Sequence, residues 1–169
     1  MSDEQRVLEE RARVLARPRQ GQREVRGTLA VFERHGVRYA IAPRFVYEVA
    51  RAPWPTALPR SERHWLGVTS LHGELIAVAD LAVLLGADGA ASGAADHALL
   101  LVLGESTRDL ALVIDAVLEP IAADIARDAP PHGDMHLIEG VTEDGLRVVR
   151  GDLLLSDPRL NVNSSSNEA

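Results

Sequence analysis

The segment Trp65-Leu66-Gly67-Val68-Thr69-Ser70-Leu71-His72-Gly73-Glu74-Leu75-Ile76-Ala77-Val78-Ala79-Asp80-Leu81 holds two short apolar runs either side of a glycine-containing connection. Trp65 to Thr69 and Leu75 to Ala79 are each about the length of one strand, and Leu71-His72-Gly73-Glu74 carries the turn chemistry, so the pair reads as a β-hairpin. Asp80 follows, and Leu81 to Leu85 then fits one or two helical turns.

The same grammar repeats outward in both directions. Towards the N-terminus, Thr28 to Phe32 and Val37 to Ile41 flank His35-Gly36 as another hairpin. Phe45 to Val49 is a short apolar turn or strand. It leads into a stretch with Pro53, Pro55 and Pro59, which should be extended because proline fixes φ and lacks an N–H. Towards the C-terminus, Gly86 to Gly93 reads as a surface loop. Ala98 to Leu103 and Leu110 to Leu118 are apolar strands around a turn near Thr107 to Asp109. Ile121 to Ile125 is extended and Ala129 to Asp134 is a Pro/Gly loop, after which Leu137 to Val141 pairs with Leu146 to Val149 around Asp144-Gly145. Asp152 to Leu155 is a closing helical turn. About ten short strands without long helices between them predict an all-β barrel or sandwich. Leu75 to Leu85 and Leu110 to Leu118 each run strand, aspartate, apolar turn, an internal echo that suggests two similar sub-barrels.

Outside this region, Asp3 to Arg17 reads as a helix closed by Pro18, with Val7, Leu8, Arg11, Val14 and Leu15 on one side. The expected organisation is an N-terminal helix and linker over residues 1–26, a β domain over 27–157, and a polar, disordered tail over 158–169. The chain has 169 residues, enough to bury a core without staples, and no cysteine, which excludes disulfides and thiolate zinc sites. The charged N-terminal stretch lacks the apolar centre of a signal peptide, and no apolar run approaches the ~20 residues of a membrane span, so a cytoplasmic chain without direct membrane insertion is expected. A net charge of −7 opposes phosphate neutralisation, and 4% aromatic residues leave few rings for base stacking, so nucleic acid is set aside as a partner.

The order of these motifs resembles the CheW-like coupling domain of bacterial chemosensory systems, over roughly Thr28 to Leu155. Phe32, Tyr39-Ala40-Ile41, Val46 and Glu48-Val49 look like the family's Phe, Tyr-x-Ile and Val-x-Glu-Ile. Gly67-Val68-Thr69-Ser70-Leu71-His72-Gly73 and Val78-Ala79-Asp80-Leu81 are similar to Gly-Val-x-Asn-Leu-Arg-Gly and Pro-x-x-Asp-Leu. Leu112-Val113-Ile114-Asp115-Ala116-Val117 looks like the Val-Asp-x-Val strand, and Ile138-Glu139-Gly140-Val141 precedes Gly145 in the expected order. The resemblance implies two five-stranded Src-homology-3-like barrels sharing a hydrophobic seam, no catalytic centre and no cofactor. It also implies two partners: the regulatory domain of a CheA-type histidine kinase and the cytoplasmic tips of methyl-accepting chemotaxis proteins, with recruitment to receptor arrays at the inner membrane. By motif, the protein-interface positions carried over are Val46, Glu48, Gly67, Ser70 and His72.

Three residues depart from the pattern. Ser70 and His72 stand where the family shows Asn and Arg, and Ala77 replaces Pro. Arginine offers a fixed fork of donors and permanent charge, whereas histidine offers two nitrogens and titrates near neutrality, so contact through His72 should differ in strength or specificity. That difference points to a dedicated, non-flagellar pathway. With Val46 as an apolar anchor and Glu48 on a polar rim, Val46→Asp is expected to break partner binding while the fold survives.

Rival chemistry has thin support. Asp80 and Asp115 follow apolar strands and could act as an acid–base pair, but neither lies in a catalytic motif, and hydrogen-bonding a turn explains both. His132 and His136 near Asp134 form a conceivable metal cluster, although Pro130, Pro131 and Gly133 make the segment a loop without helical convergence. No nucleophile elbow, Walker loop, dinucleotide glycine pattern or His-Glu-x-x-His is present. A small enzyme or metal-binding protein is therefore the alternative reading. Among the aromatics, Trp65 is assigned to the core, and Trp54 fits core or interface equally.

Overall fold

The computed structural model describes residues 25–88, 95–124 and 135–161. The expected Asp3 to Arg17 helix, the Ala129 to Asp134 loop with His132, and residues 162–169 lie outside these residues; the first residues assigned to the tail, Pro158–Leu160, form a 3-10 turn that buries Leu160 in the core. Ten strands form two five-stranded sheets. The first, in order β8-β1-β2-β10-β9, is built from β1 (Val25–Arg34), β2 (Val37–Ile41), β8 (Ala116–Asp124), β9 (Ile138–Val141) and β10 (Arg147–Val149). The second, in order β3-β6-β7-β5-β4, holds β3 (Val46–Pro53), β4 (Trp65–Leu71), β5 (Glu74–Ala79), β6 (His97–Leu103) and β7 (Leu110–Ile114). Two short helices, α1 (Leu81–Leu84) and α2 (Gly151–Ser156), follow strands β5 and β10.

Both expected His-Gly hairpins form, with registers Arg34↔Val37 and Leu71↔Glu74 that leave two residues in each turn. His35 and Gly36 have φ of 51° and 73°, and His72 and Gly73 have 51° and 82°. A two-residue loop with both residues left-handed is the turn whose twist matches a hairpin's, and glycine meets that demand at the second position without a Cβ clash.

Two sequence expectations are corrected. Leu110 to Leu118 is not one strand: β7 ends at Ile114 in the second sheet, Asp115 turns the chain, and β8 begins at Ala116 in the first. An unbroken apolar run carries no mark of a change of sheet, because both strands need the same residue types. Phe45 belongs to a 3-10 turn opened by Pro43, and the strand after it continues to Pro53. Past Pro53 the extended chain leaves β6, where Trp54 donates to the Asp96 carbonyl, and bonds β4 through reciprocal Thr56–Val68 hydrogen bonds of 2.8 and 3.0 Å. The second sheet thereby curls until its edge strands meet. Gly67 is required at this closure: its φ is +130°, and a Cβ there would run into the Thr56 carbonyl.

The core divides into three clusters. Leu29, Val31, Ala40, Leu146 and Val148 fill the first sheet, and Ala52, Leu71, Ile76, Val78, Leu100, Val102, Ala111 and Val113 fill the second. Between the sheets, Phe32, Tyr39, Ile41, Leu101, Leu103, Leu110, Leu112 and Ile114 form a shared seam. Successive residues of a strand point to opposite faces, so Leu100 and Val102 fill the second sheet while Leu101 and Leu103 face the seam. This explains why β6 and β7 read as nearly unbroken apolar runs instead of alternating ones. Phe45 is buried in the seam, packed against Gly151, and Trp65 is partly buried on the same cluster as expected. Trp54 packs partly buried against the cluster of the second sheet.

Candidate docking surface

The first ionic cluster is internal. Arg34, at the end of β1, has a buried side chain and donates Nε and NH2 to Asp80 Oδ2 at 3.1 and 2.8 Å, and NH1 to Asp115 Oδ1 at 2.8 Å. Asp80 is fully buried, and its second oxygen caps α1 by accepting from the Ala82 and Val83 N–H groups. Asp115 Oδ2 accepts the His35 N–H at 2.7 Å, and His35 Nε2 lies 3.2 Å from Asp80 Oδ2. Burial disfavours the Arg34 charge, but the hydrogen bonds and charges of Asp80 and Asp115 outweigh it and raise its pKa above the ordinary arginine value. The group from β1 thus clamps two carboxylates held by the second sheet and by the crossover between sheets. Both aspartates stand at strand ends and bond turns, Asp80 through the N–H groups of α1 and Asp115 through the His35 N–H.

His136, the described member of the conceivable metal cluster, is exposed, with Nε2 3.5 Å from Asp157 Oδ2. Among the described residues no group of three or more His, Cys, Asp or Glu could hold a metal ion. No described helix is long and apolar enough to cross a membrane.

The second ionic cluster is on the outside, on β3. The strand alternates: Val46, Glu48 and Ala50 are partly buried, while Tyr47 and Val49 are 44% and 43% exposed. Val46 pairs with Leu103 but Glu48 with Val102, so Tyr47 is the extra residue of a β-bulge, a device that re-aims side chains. Glu48 Oε2 lies 3.0 Å from His72 Nε2, and Oε1 accepts from Arg108 Nε at 2.6 Å. Arg108 lies over the Tyr47 ring, 4.9 Å from its centroid, and approaches Glu74 at 3.6 Å. The Arg108 hydrogen bond, then that of His72, holds the Glu48 carboxyl below its ordinary range, and Glu48 in turn raises the Arg108 guanidinium.

Of the five positions carried over by motif, the fold brings Glu48 and His72 into direct contact. Ser70 is exposed on β4 opposite Leu75, which is 79% exposed. Val46 packs partly buried on the seam, and Gly67 is buried backbone at the closure of the second sheet. Sequence reasoning missed Tyr47, Leu75 and Arg108. The odd-even alternation of β3 could have marked Tyr47, but nothing local announces that Arg108, in the β6–β7 turn, reaches β3.

The second sheet also carries grooves over its β4–β5 face. One, of about 330 Å³, is lined by residues that include Leu58, Trp65, Val68 and Ala77, and another, of about 550 Å³, by residues that include Leu75, Arg108, Leu155 and Leu160.

No curated protein matches the chain. Among solved structures, the scaffolding protein TtCheW from Thermoanaerobacter tengcongensis is similar, with a TM-score of 0.58 at 23% identity over 73% of this chain and 88% of that one. At that identity the likeness is one of fold. The CheW-like domain family matches residues 28–158, which contain both sheets but for the first three residues of β1, the internal clamp and the Glu48 cluster, and the chain therefore belongs to the CheW-like domain family.

Proposed function

We propose that the chain is a non-enzymatic chemosensory adaptor that couples the cytoplasmic tips of methyl-accepting chemotaxis proteins to the regulatory domain of a CheA-type histidine kinase. The observation that carries this reading is the family match over residues 28–158. The form of the surface supports it: exposed Tyr47, Val49 and Leu75 offer apolar contact beside the charged Glu48, His72, Glu74 and Arg108, the mixture of anchors and polar rim that protein interfaces use. In this reading the adaptor works in the cytoplasm at receptor arrays and holds its partners in fixed relation by shape. Glu48, Ser70 and His72 lie at the contact, Val46 supports it from below, and Gly67 shapes the sheet that bears it.

The narrower reading, a dedicated pathway apart from the flagellar one, rests on His72 alone. Co-purification tests the main proposal: the chain should retain both the kinase regulatory domain and a receptor-tip fragment. Retention of neither would overturn it. Binding that is unchanged in His72→Arg would remove the argument for a dedicated pathway.

A further inference from the structure

The Glu48 carboxylate is held from two sides by side chains of different permanence. His72 belongs to the β4–β5 turn and carries charge only when protonated. Arg108 belongs to the β6–β7 turn, is charged at every relevant pH, and makes the shorter contact, 2.6 Å against 3.0 Å. The turn that carries it is itself tied down. Gly104 N–H bonds the Phe45 carbonyl at 2.9 Å, Asp109 N–H bonds the Leu103 carbonyl at 2.9 Å, and Thr107 Oγ1 donates to Asp109 Oδ1 at 2.6 Å. The guanidinium also lies over the ring of Tyr47, the bulge residue next to Glu48. One side chain from outside both carried-over motifs therefore fixes the acid and the aromatic of the surface together.

We infer that Arg108 is a positioning residue of the docking surface: by gripping Glu48 and covering Tyr47 it supplies the permanent guanidinium that this chain lacks at position 72. The inference deepens the adaptor reading and rests on it for its consequence in binding, but the contact itself is testable without a partner. An arginine fits this place because a planar guanidinium can stack on a ring while its Nε–H meets a carboxylate, which an ammonium cannot do in the same geometry.

The test uses the full chain in two arms. In the first, the Glu48 side-chain carboxyl is followed by carbon NMR through an acid titration. Arg108→Ala should move its midpoint up towards the ordinary glutamate range, and His72→Ala should move it less. An unmoved midpoint in Arg108→Ala, or a larger move in His72→Ala, overturns the inference. In the second arm, affinity for the kinase regulatory domain and for a receptor-tip fragment is measured by titration calorimetry. Arg108→Ala should weaken at least one of them by about three- to fivefold, the scale of an exposed ion pair, and the double variant Arg108→Ala/His72→Arg should recover most of the loss. Full binding in folded Arg108→Ala, or no recovery in the double variant, overturns the role in docking. Failure of the unaltered chain to bind either partner overturns the adaptor reading instead, and the first arm still decides whether Arg108 holds Glu48.

Discussion

The two His-Gly hairpins share a backbone and differ in everything their histidines touch. Each has two left-handed residues between an antiparallel pair of strands, with nearly the same φ values. His35 turns to the junction of the two sheets, where its backbone N–H and its ring meet Asp115 and Asp80 beside buried Arg34. His72 lies on the surface of the second sheet against Glu48, and its side chain is 54% exposed. A turn type fixes the path of the chain, but the depth at which the turn docks decides whether a side chain on it is structural or available to a partner. Buried ion pairs are costly to break because the remaining charge stays desolvated, whereas exposed pairs trade readily with water.

The difference can be broken first at its deepest point. Arg34→Ala strands Asp80 in the interior and should lower the unfolding free energy by about 3–5 kcal/mol, measured by urea denaturation. A loss near zero would mean that the clamp does not hold the sheets. Next, Gly67→Ala places a Cβ against the Thr56 carbonyl at positive φ, and should cost about 1–3 kcal/mol in the same measurement. An unchanged midpoint would show that the closure of the second sheet tolerates movement.

Gly36→Ala and Gly73→Ala sharpen the comparison, because neither Cβ would meet any atom within 4 Å. Each should cost about 1–2 kcal/mol from the left-handed backbone alone, and a marked inequality between them would show that the two turns are not equivalent. The histidines then separate: His35→Ala should cost about 1 kcal/mol for its lost contact with buried Asp80, while His72→Ala should leave the urea midpoint in place and alter only partner binding. At the surface, Val49→Asp should likewise fold as the unaltered chain does and weaken kinase or receptor binding by about tenfold, the loss of a modest interface anchor. It is a cleaner probe than Val46→Asp. Val46 packs on the shared seam, so a carboxylate there would reach the core as well as the surface, and its effect on binding would have to be separated from any loss of stability.

Acid titration of the clear cases follows one sign. Asp157 has a buried side chain and a pKa lowered by its hydrogen bond to Arg159. A group whose folded pKa is depressed contributes stability above its unfolded value, and that contribution disappears as pH falls through the folded one. Arg159→Ala should therefore flatten the loss of stability below the ordinary aspartate range, read from urea midpoints at successive acid pH values. An equally steep loss in the variant would remove the pairing of Asp157 with the Arg159 side chain as its source.

Much of the fold was legible because strand periodicity and turn chemistry are local. The hairpins at His35-Gly36, His72-Gly73 and Asp144-Gly145 were marked by glycine between apolar runs, and Asp80 by its place before an apolar turn. The echo between Leu75 to Leu85 and Leu110 to Leu118 does not mark one unit in each barrel, because β5 and β7 are neighbours in the second sheet; what the two segments share is that Asp80 and Asp115 converge on Arg34. Where local signals were silent, the reading failed. The change of sheet at Asp115 lies inside a continuous apolar run, and the exposed Tyr47 was read as part of a short apolar element.

By itself, then, the sequence determined the hairpins with glycine turns, most of the other strands and the family motifs, because these depend on residues a few positions apart. Only the tertiary structure decided that Glu48 answers to Arg108 as well as His72, that Arg34 ties together Asp80 and Asp115, and that Gly67 closes a sheet. Those contacts join residues from 12 positions apart, at Thr56 and Val68, to 81 apart, at Arg34 and Asp115, and such pairings are settled by how sheets curl and pack, which short-range propensity does not encode.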